Sequence, residues 1–152
     1  MMKIKNIITT LLLSTLCLTA NIQIIQNSAN VIAVDTKGTS GSYNFYVTLL
    51  SDETGCNQYA NWWEILDENG NLLYRRILVH SHPDDQPFRR GGRRVNVTPS
   101  QTLYIRAHMN TSAYNGDVFK GSVSHGFIKS EDSIKNSSIV ESLAPQPNGC
   151  LF

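Results

Sequence analysis

The 152 residues carry a formal charge of only +1. A balance that close gives no bulk attraction for nucleic acid or an anionic membrane surface, so a nucleic-acid partner is not expected. Beyond Ala20 no apolar run is long enough to cross a bilayer, which excludes a transmembrane segment in the mature chain, and its roughly 120–130 residues suit one small core.

The first element is a leader. Met1 to Asn6 carries Lys3 and Lys5 and no acid, and Ile7 to Ala20 reads IITTLLLSTLCLTA. A short basic stretch before an apolar run of roughly 7–15 residues is the pattern of a secretory signal, too short to span a membrane easily. Residues 1–20 are therefore expected to be removed, leaving a periplasmic or extracellular protein. Ala20 suits a cleavage site, although Leu18 is bulkier than usual two positions earlier; Ala29 and Ala33 are later alternatives. Cys17 invites lipidation, but Leu16 before it is too large for that pattern.

From there the period is two. Val31 to Asp35 reads as an edge strand, and Ser42 to Ser51 puts Tyr43, Phe45, Val47 and Leu49 on one face of a half-buried strand. Asp52 to Gly55 is a turn. Gln58 to Asp67 and Leu72 to His80 form a hairpin around Glu68-Asn69-Gly70-Asn71, whose Asn-Gly supplies the positive φ that a tight turn needs. Arg94 to Val97, Thr102 to Met109 and Gly121 to Phe127 complete the strands, and no helix is evident. Short strands separated by Gly, Pro, Asn and Ser turns imply a single all-β domain over residues 31–128, an antiparallel β-sandwich or small barrel. Residues 129–152 are polar and Pro-containing and are expected to form a flexible tail, tethered if Cys150 is bonded.

Removal of Cys17 leaves Cys56 and Cys150, which permit one intramolecular pairing in an oxidising compartment. Such a disulfide closes a loop of roughly a hundred residues, worth about 4–5 kcal/mol in the chain-entropy model. Two free thiols or a link between copies are the alternatives.

The segment nearest to chemistry is Trp62 to Asp85, WWEILDENGNLLYRRILVHSHPDD. On a continued strand His80 and His82 share a face, and Zn or Cu needs three or four N, S or O ligands. His108 would be the third ligand, with Met109, Asp84 and His125 as substitutes. The plainer reading is a pair of histidines bonding turn backbone at a strand end. Zinc-enzyme signatures fit poorly. His80-Ser81-His82-Pro83 matches the start of the JAMM isopeptidase pattern, but Arg90 and Arg93 stand where its Ser and Asp belong. The metallo-β-lactamase pattern lacks its last His at Asp85, and the amidohydrolase His-x-His belongs to a barrel of about 250 residues. Ser122-Val123-Ser124-His125-Gly126 departs from the Gly-x-Ser-x-Gly elbow at its first position, with no helix following. The acid pairs Asp52-Glu53, Asp67-Glu68 and Asp84-Asp85 read as solvated turns, and Asp67 to Asn71 lacks the frame of a calcium loop.

Two surfaces point to binding rather than catalysis. Arg89, Arg90, Arg93 and Arg94 flank Gly91-Gly92 in what reads as a flexible loop, and guanidinium forks match carboxylate, sulfate and phosphate. Trp62 and Trp63 face opposite ways in a strand, so one is core and the other a candidate stacking platform, extended by Tyr59, Tyr74 and Tyr104. An anionic glycan or another exported protein is the partner these features imply. GCNQYANWWE (55–64), RRILVHSH (75–82), QPF (86–88), RAHM (106–109) and GSV (121–123) together resemble a group of small exported bacterial proteins with no assigned activity. The resemblance implies export and a compact β domain, and brings no substrate, cofactor or catalytic residue. The sequence reading is thus a non-enzymatic binding or structural protein, with a Zn or Cu protein using a His-x-His face as the alternative.

Overall fold

A computed structural model describes residues 27–132, 134 and 137–151; the expected leader and Cys17 lie outside them. Within them the chain forms β1 (Ala29–Thr39), β2 (Ser42–Ser51), β3 (Ala60–Asp67), β4 (Leu72–Ile77), β5 (Phe88–Val95), β6 (Leu103–Met109), β7 (Val118–Ser122), β8 (Gly126–Ser130) and α1 (Ser137–Glu141). The fold is all-β, with two antiparallel sheets ordered β1-β2-β5 and β4-β3-β6-β7-β8. β1 lies beside β6, β7 and β8, and β4 beside β5, so the sheets face each other as a sandwich.

Alternation builds the interior. Phe45, Val47 and Leu49 of β2 meet Trp63 and Ile65 of β3 and Leu103, Ile105, Ala107 and Met109 of β6, all buried. The β3–β4 turn is held by its acid: Asp67 Oδ1 accepts from the backbone N–H of Asn69 at 2.9 Å and of Asn71 at 2.8 Å. Gly70, not Asn69, takes the positive φ of 81°.

The even positions of β3 depart from a simple sandwich. Trp62, Glu64 and Leu66 face away from the core yet are buried, like Arg75 of β4 and Arg106 and His108 of β6. The C-terminal segment lies against Arg75 and His108 of this face. Val140 of α1 is 2 % exposed, and Arg75 bonds the carbonyls of Val140, Leu143 and Pro145. The Cys56 and Cys150 Sγ atoms lie at the disulfide distance of 2.00 Å, 94 residues apart in sequence, and Leu151 N–H donates to Val79 C=O at 2.6 Å. The polar tail thus forms a strap over the five-stranded sheet. Its own side chains gave no sign of this, because arginine donors on the sheet hold it by its carbonyls.

Three sequence expectations are corrected. β4 ends at Ile77, so His80 and His82 are not alternate residues of a strand; Leu78 N–H still reaches Asn61 C=O at 2.9 Å before the chain turns toward Pro83. The arginine-glycine run is strand β5, not a loop, and pairs with β2 from Leu49↔Phe88 to Tyr43↔Val95. Gly121 to Phe127 spans the tight β7–β8 turn instead of one strand. Among the described residues no helix is long and apolar enough to cross a membrane.

Candidate functional site

The histidines separate into different roles. His82 is 5 % exposed, its ring stacked on Phe88 at 4.0 Å and 16°. Its backbone N–H donates to Glu53 Oε2, and Glu53 Oε1 accepts from the Ser51 hydroxyl at 2.6 Å and from Ala60 N–H at 3.3 Å. Arg90 Nη2 meets His82 Nε2. A guanidinium can only donate, so Nε2 holds the lone pair and Nδ1 the proton, 3.7 Å from Glu53 Oε2. Burial, then the Arg90 charge, pushes the His82 pKa down to about 4. His80 is exposed, its ring centroid 4.4 Å from that of His82.

His108 is occupied elsewhere. Its ring lies flat on Trp62 at 3.7 Å and 8°, Nδ1 meets Asn61 Oδ1 at 2.7 Å, and Nε2 meets Glu141 Oε1 of the strap at 3.3 Å. Burial lowers its pKa, and the bond to Glu141 opposes that shift. Among the described residues no group of three or more His, Cys, Asp or Glu side chains is arranged to hold a metal ion. The structure therefore does not bring His108 to the His80–His82 pair. Asp84 is exposed, Met109 belongs to the core, and His125 bonds the Ser122 and Ser124 hydroxyls at 3.0 Å each.

Between His108 and β4 lies a buried charge cluster. Glu64 Oε2 accepts from Arg75 Nε at 2.8 Å and from Trp62 Nε1 at 3.1 Å, and Oε1 accepts from Arg106 Nε at 2.8 Å. The Arg106 guanidinium lies 3.5 Å from the Tyr114 ring, and burial followed by the Glu64 charge raises the Tyr114 pKa to about 12. Trp62 is therefore enclosed by Arg75, His108 and Tyr114, and Trp63 is core. Neither tryptophan is an exposed stacking platform.

The arginine run builds a groove instead. Between β4 and β5, Tyr46, Tyr74, Arg76, Gly91, Gly92 and Arg93 line a cleft of about 460 Å³, with two guanidiniums and no acid among the described lining residues. The glycines shape it. A Cβ on Gly92 would sit 2.5 Å from Tyr74 Cε1 and 2.6 Å from Trp63 Cη2, and one on Gly91 would sit 3.4 Å from the Tyr46 ring. Arg89 stacks on Tyr46 at 4.4 Å and pairs with Asp35 at 3.1 Å. Of the four predicted arginines, Arg93 lines the cleft, Arg89 braces its wall, and Arg90 holds His82. Arg94 is absent from the lining; its backbone N–H donates to Asn44 Oδ1, and its φ is 57°. Sequence reasoning missed Arg76 and Tyr46, which reach the cleft from other strands. The signal available was the Gly91-Gly92 pair, two consecutive positions without side chains between charged neighbours.

A second groove, of about 530 Å³, lies over the β7–β8 turn, lined by residues including Lys120, Ser122, His125 and Ile128. Its cations are paired: Lys120 with Asp132 at 2.6 Å and Lys129 with Asp117 at 2.9 Å.

Comparison with known proteins brings little further definition. No family model matches the chain, and no solved structure matches it. Ninety residues are 36 % identical to a protein of Halomicrobium mukohataei described as "Putative lipoprotein". The aligned stretch is 58 % of this chain and 44 % of that protein, so the chain spans less than half of its relative's length.

Proposed function

We propose that this is an exported, non-enzymatic binding domain that takes an anionic glycan in the cleft between β4 and β5. One observation carries the reading: Arg76 and Arg93 line a cleft floored by Gly91 and Gly92 and walled by Tyr46 and Tyr74, with no acid among the described lining residues. Guanidinium forks bind carboxylate or sulfate groups through paired, charge-assisted hydrogen bonds. Tyrosine rings offer a flat apolar face to the carbon side of a sugar, with a hydroxyl at the edge. Export is supported by the basic-apolar leader, by two cysteines at disulfide distance and by the description of the relative.

Titration of the protein with oligogalacturonate, a uronate chain, tests the reading, with neutral dextran as comparison. Hydrogen bonds to charged groups contribute about 1.5–3 kcal/mol each, so Arg76→Ala and Arg93→Ala should each weaken uronate binding by about tenfold or more. Arg94→Ala, outside the cleft, should leave it unchanged, and added salt should weaken it. Equal affinity for dextran, or variants that bind as the parent does, would overturn the proposal.

A further inference from the structure

An asparagine followed by glycine can modify itself, because the next peptide nitrogen reaches the side-chain carbonyl and glycine has no Cβ to hinder the approach. The chain holds three such pairs: Asn69-Gly70, Asn115-Gly116 and Asn148-Gly149. All three asparagines are exposed, so access to solvent does not separate them. The freedom of the following peptide does. Gly70 N–H donates to Asp67 C=O at 3.0 Å, and the N–H groups of Asn69 and Asn71 on either side donate to the Asp67 carboxylate at 2.9 and 2.8 Å. Gly116 is wedged against β1, where a Cβ would lie 2.0 Å from the Ala29 carbonyl oxygen. The residue after it is pinned too: Asp117 N–H donates to Asn30 Oδ1 at 3.0 Å, and Asp117 C=O accepts from Val31 N–H at 3.2 Å. The third pair is not held in this way. Among the described residues neither Asn148 nor Gly149 has a hydrogen-bond partner, and a Cβ on Gly149 would meet no atom within 4 Å.

From this we infer that Asn148 is a site of spontaneous covalent modification, converted through a cyclic imide to aspartate and isoaspartate, while the fold protects Asn69 and Asn115. The step balances with water as its one co-reactant. Gly149 N attacks Asn148 Cγ, the Cγ–Nδ2 bond breaks, and Nδ2 leaves as ammonia carrying the proton displaced from Gly149 N. Water then opens the ring at either carbonyl. Attack at Cγ restores the main chain and leaves aspartate. Attack at the main-chain carbonyl leaves isoaspartate, in which the chain runs on through Cγ. Both products carry a new carboxylate, and isoaspartate adds one carbon to the main-chain path. The position gives the conversion its weight. Asn148 lies between two anchors of the strap: Pro145 C=O, held by Arg75 at 3.2 Å, and Cys150, at disulfide distance from Cys56. Modification therefore places charge, and in one product extra length, in the short link between them.

Ageing in heavy-oxygen water tests the inference. The oxidised protein is held for weeks at neutral and at mildly alkaline pH, then reduced and digested with trypsin in ordinary water. Asn69, Asn115 and Asn148 fall in separate peptides, 38–75, 107–120 and 136–152, and solvent oxygen enters each peptide as its asparagine converts. Label in 136–152 should exceed that in the other two by an order of magnitude. It should also increase with pH, because the attacking nitrogen must lose its proton. In concentrated urea the three peptides should converge to within a few-fold, since folded structure is what protects Asn69 and Asn115. Asn148→Gln, whose longer side chain closes the imide poorly, should remove the label from 136–152 and leave the other two peptides as they were. Equal labelling of the three peptides in the folded protein, the same ranking in urea, or label that persists in Asn148→Gln would each overturn it.

Discussion

Arg90 was expected to serve a ligand, and its commitment to His82 has a consequence in pH. The folded state holds His82 neutral, with a pKa near 4 against about 6.5 when unfolded. The unfolded chain therefore binds the extra proton in that window, so this contribution to stability is complete above pH 6.5 and is lost as pH falls toward 4. Calorimetry across pH 4 to 7 should show Tm falling on acidification, and His82→Gln should flatten that part of the profile. Glu64 makes a second residue-scale prediction. It is fully buried between Arg75 and Arg106, so Glu64→Gln leaves two buried guanidiniums without their counter-charge. Loss of one partner of a buried pair costs about 3–5 kcal/mol, which urea denaturation will read directly. A variant within 1 kcal/mol of the parent would contradict the assigned burial. Neither role was legible in the sequence. The His pair was read through a strand period that stops at Ile77, and Glu64 looks like an ordinary outward-facing strand position.

At the scale of elements, legibility followed side-chain periodicity. β2 was read with its observed bounds because Tyr43, Phe45, Val47 and Leu49 alternate without interruption. The β3–β4 hairpin was found from its turn. β5 was read only at its end, as Arg94 to Val97, because the arginines and glycines before it carry little strand propensity; it forms where β2 offers an edge and the rings of Tyr46, Tyr74 and Trp63 fill the space above the glycines. That filling gives the prediction for this scale. Gly92→Ala places a methyl inside the Tyr74 and Trp63 rings, so it should cost about 1–3 kcal/mol through overpacking and weaken glycan binding by displacing Tyr74. Stability unchanged in Gly92→Ala would argue against the close approach of these rings. Arg76 lay outside any arginine pattern, since its place in the cleft depends on two sheet edges meeting, which no local sequence encodes.

For the whole molecule, the strap is the feature that periodicity could not reveal. The two-cysteine count pointed to a tether, but not to a cover lying on a buried ion cluster. Cys150→Ser removes the tether. In the chain-entropy model the loss is up to about 4–5 kcal/mol, often less in practice, and it should appear as a lower urea midpoint. Because the strap holds Arg75 and His108, which pack on Trp62, the same variant should show red-shifted tryptophan emission where strap detachment precedes global unfolding, whereas the parent should show a single transition.

The Cys56–Cys150 bond also divides the chain under tension. β3 to β8 and α1 lie inside the 94-residue span it closes, whereas β1 and β2 lie outside. Pulled by its two ends, the oxidised protein can pay out β1, β2 and the turn that follows, but the closed span stays bypassed by a single covalent bond. A single-molecule extension should therefore be shorter than that of the reduced protein by about 330 Å of contour, the length of some 94 residues drawn straight. The cleft would be disrupted once β2 leaves, since Tyr46 departs with it. A domain anchored at one end and loaded at the other would thus release the glycan proposed for the cleft while most of its chain remained inside the closed span.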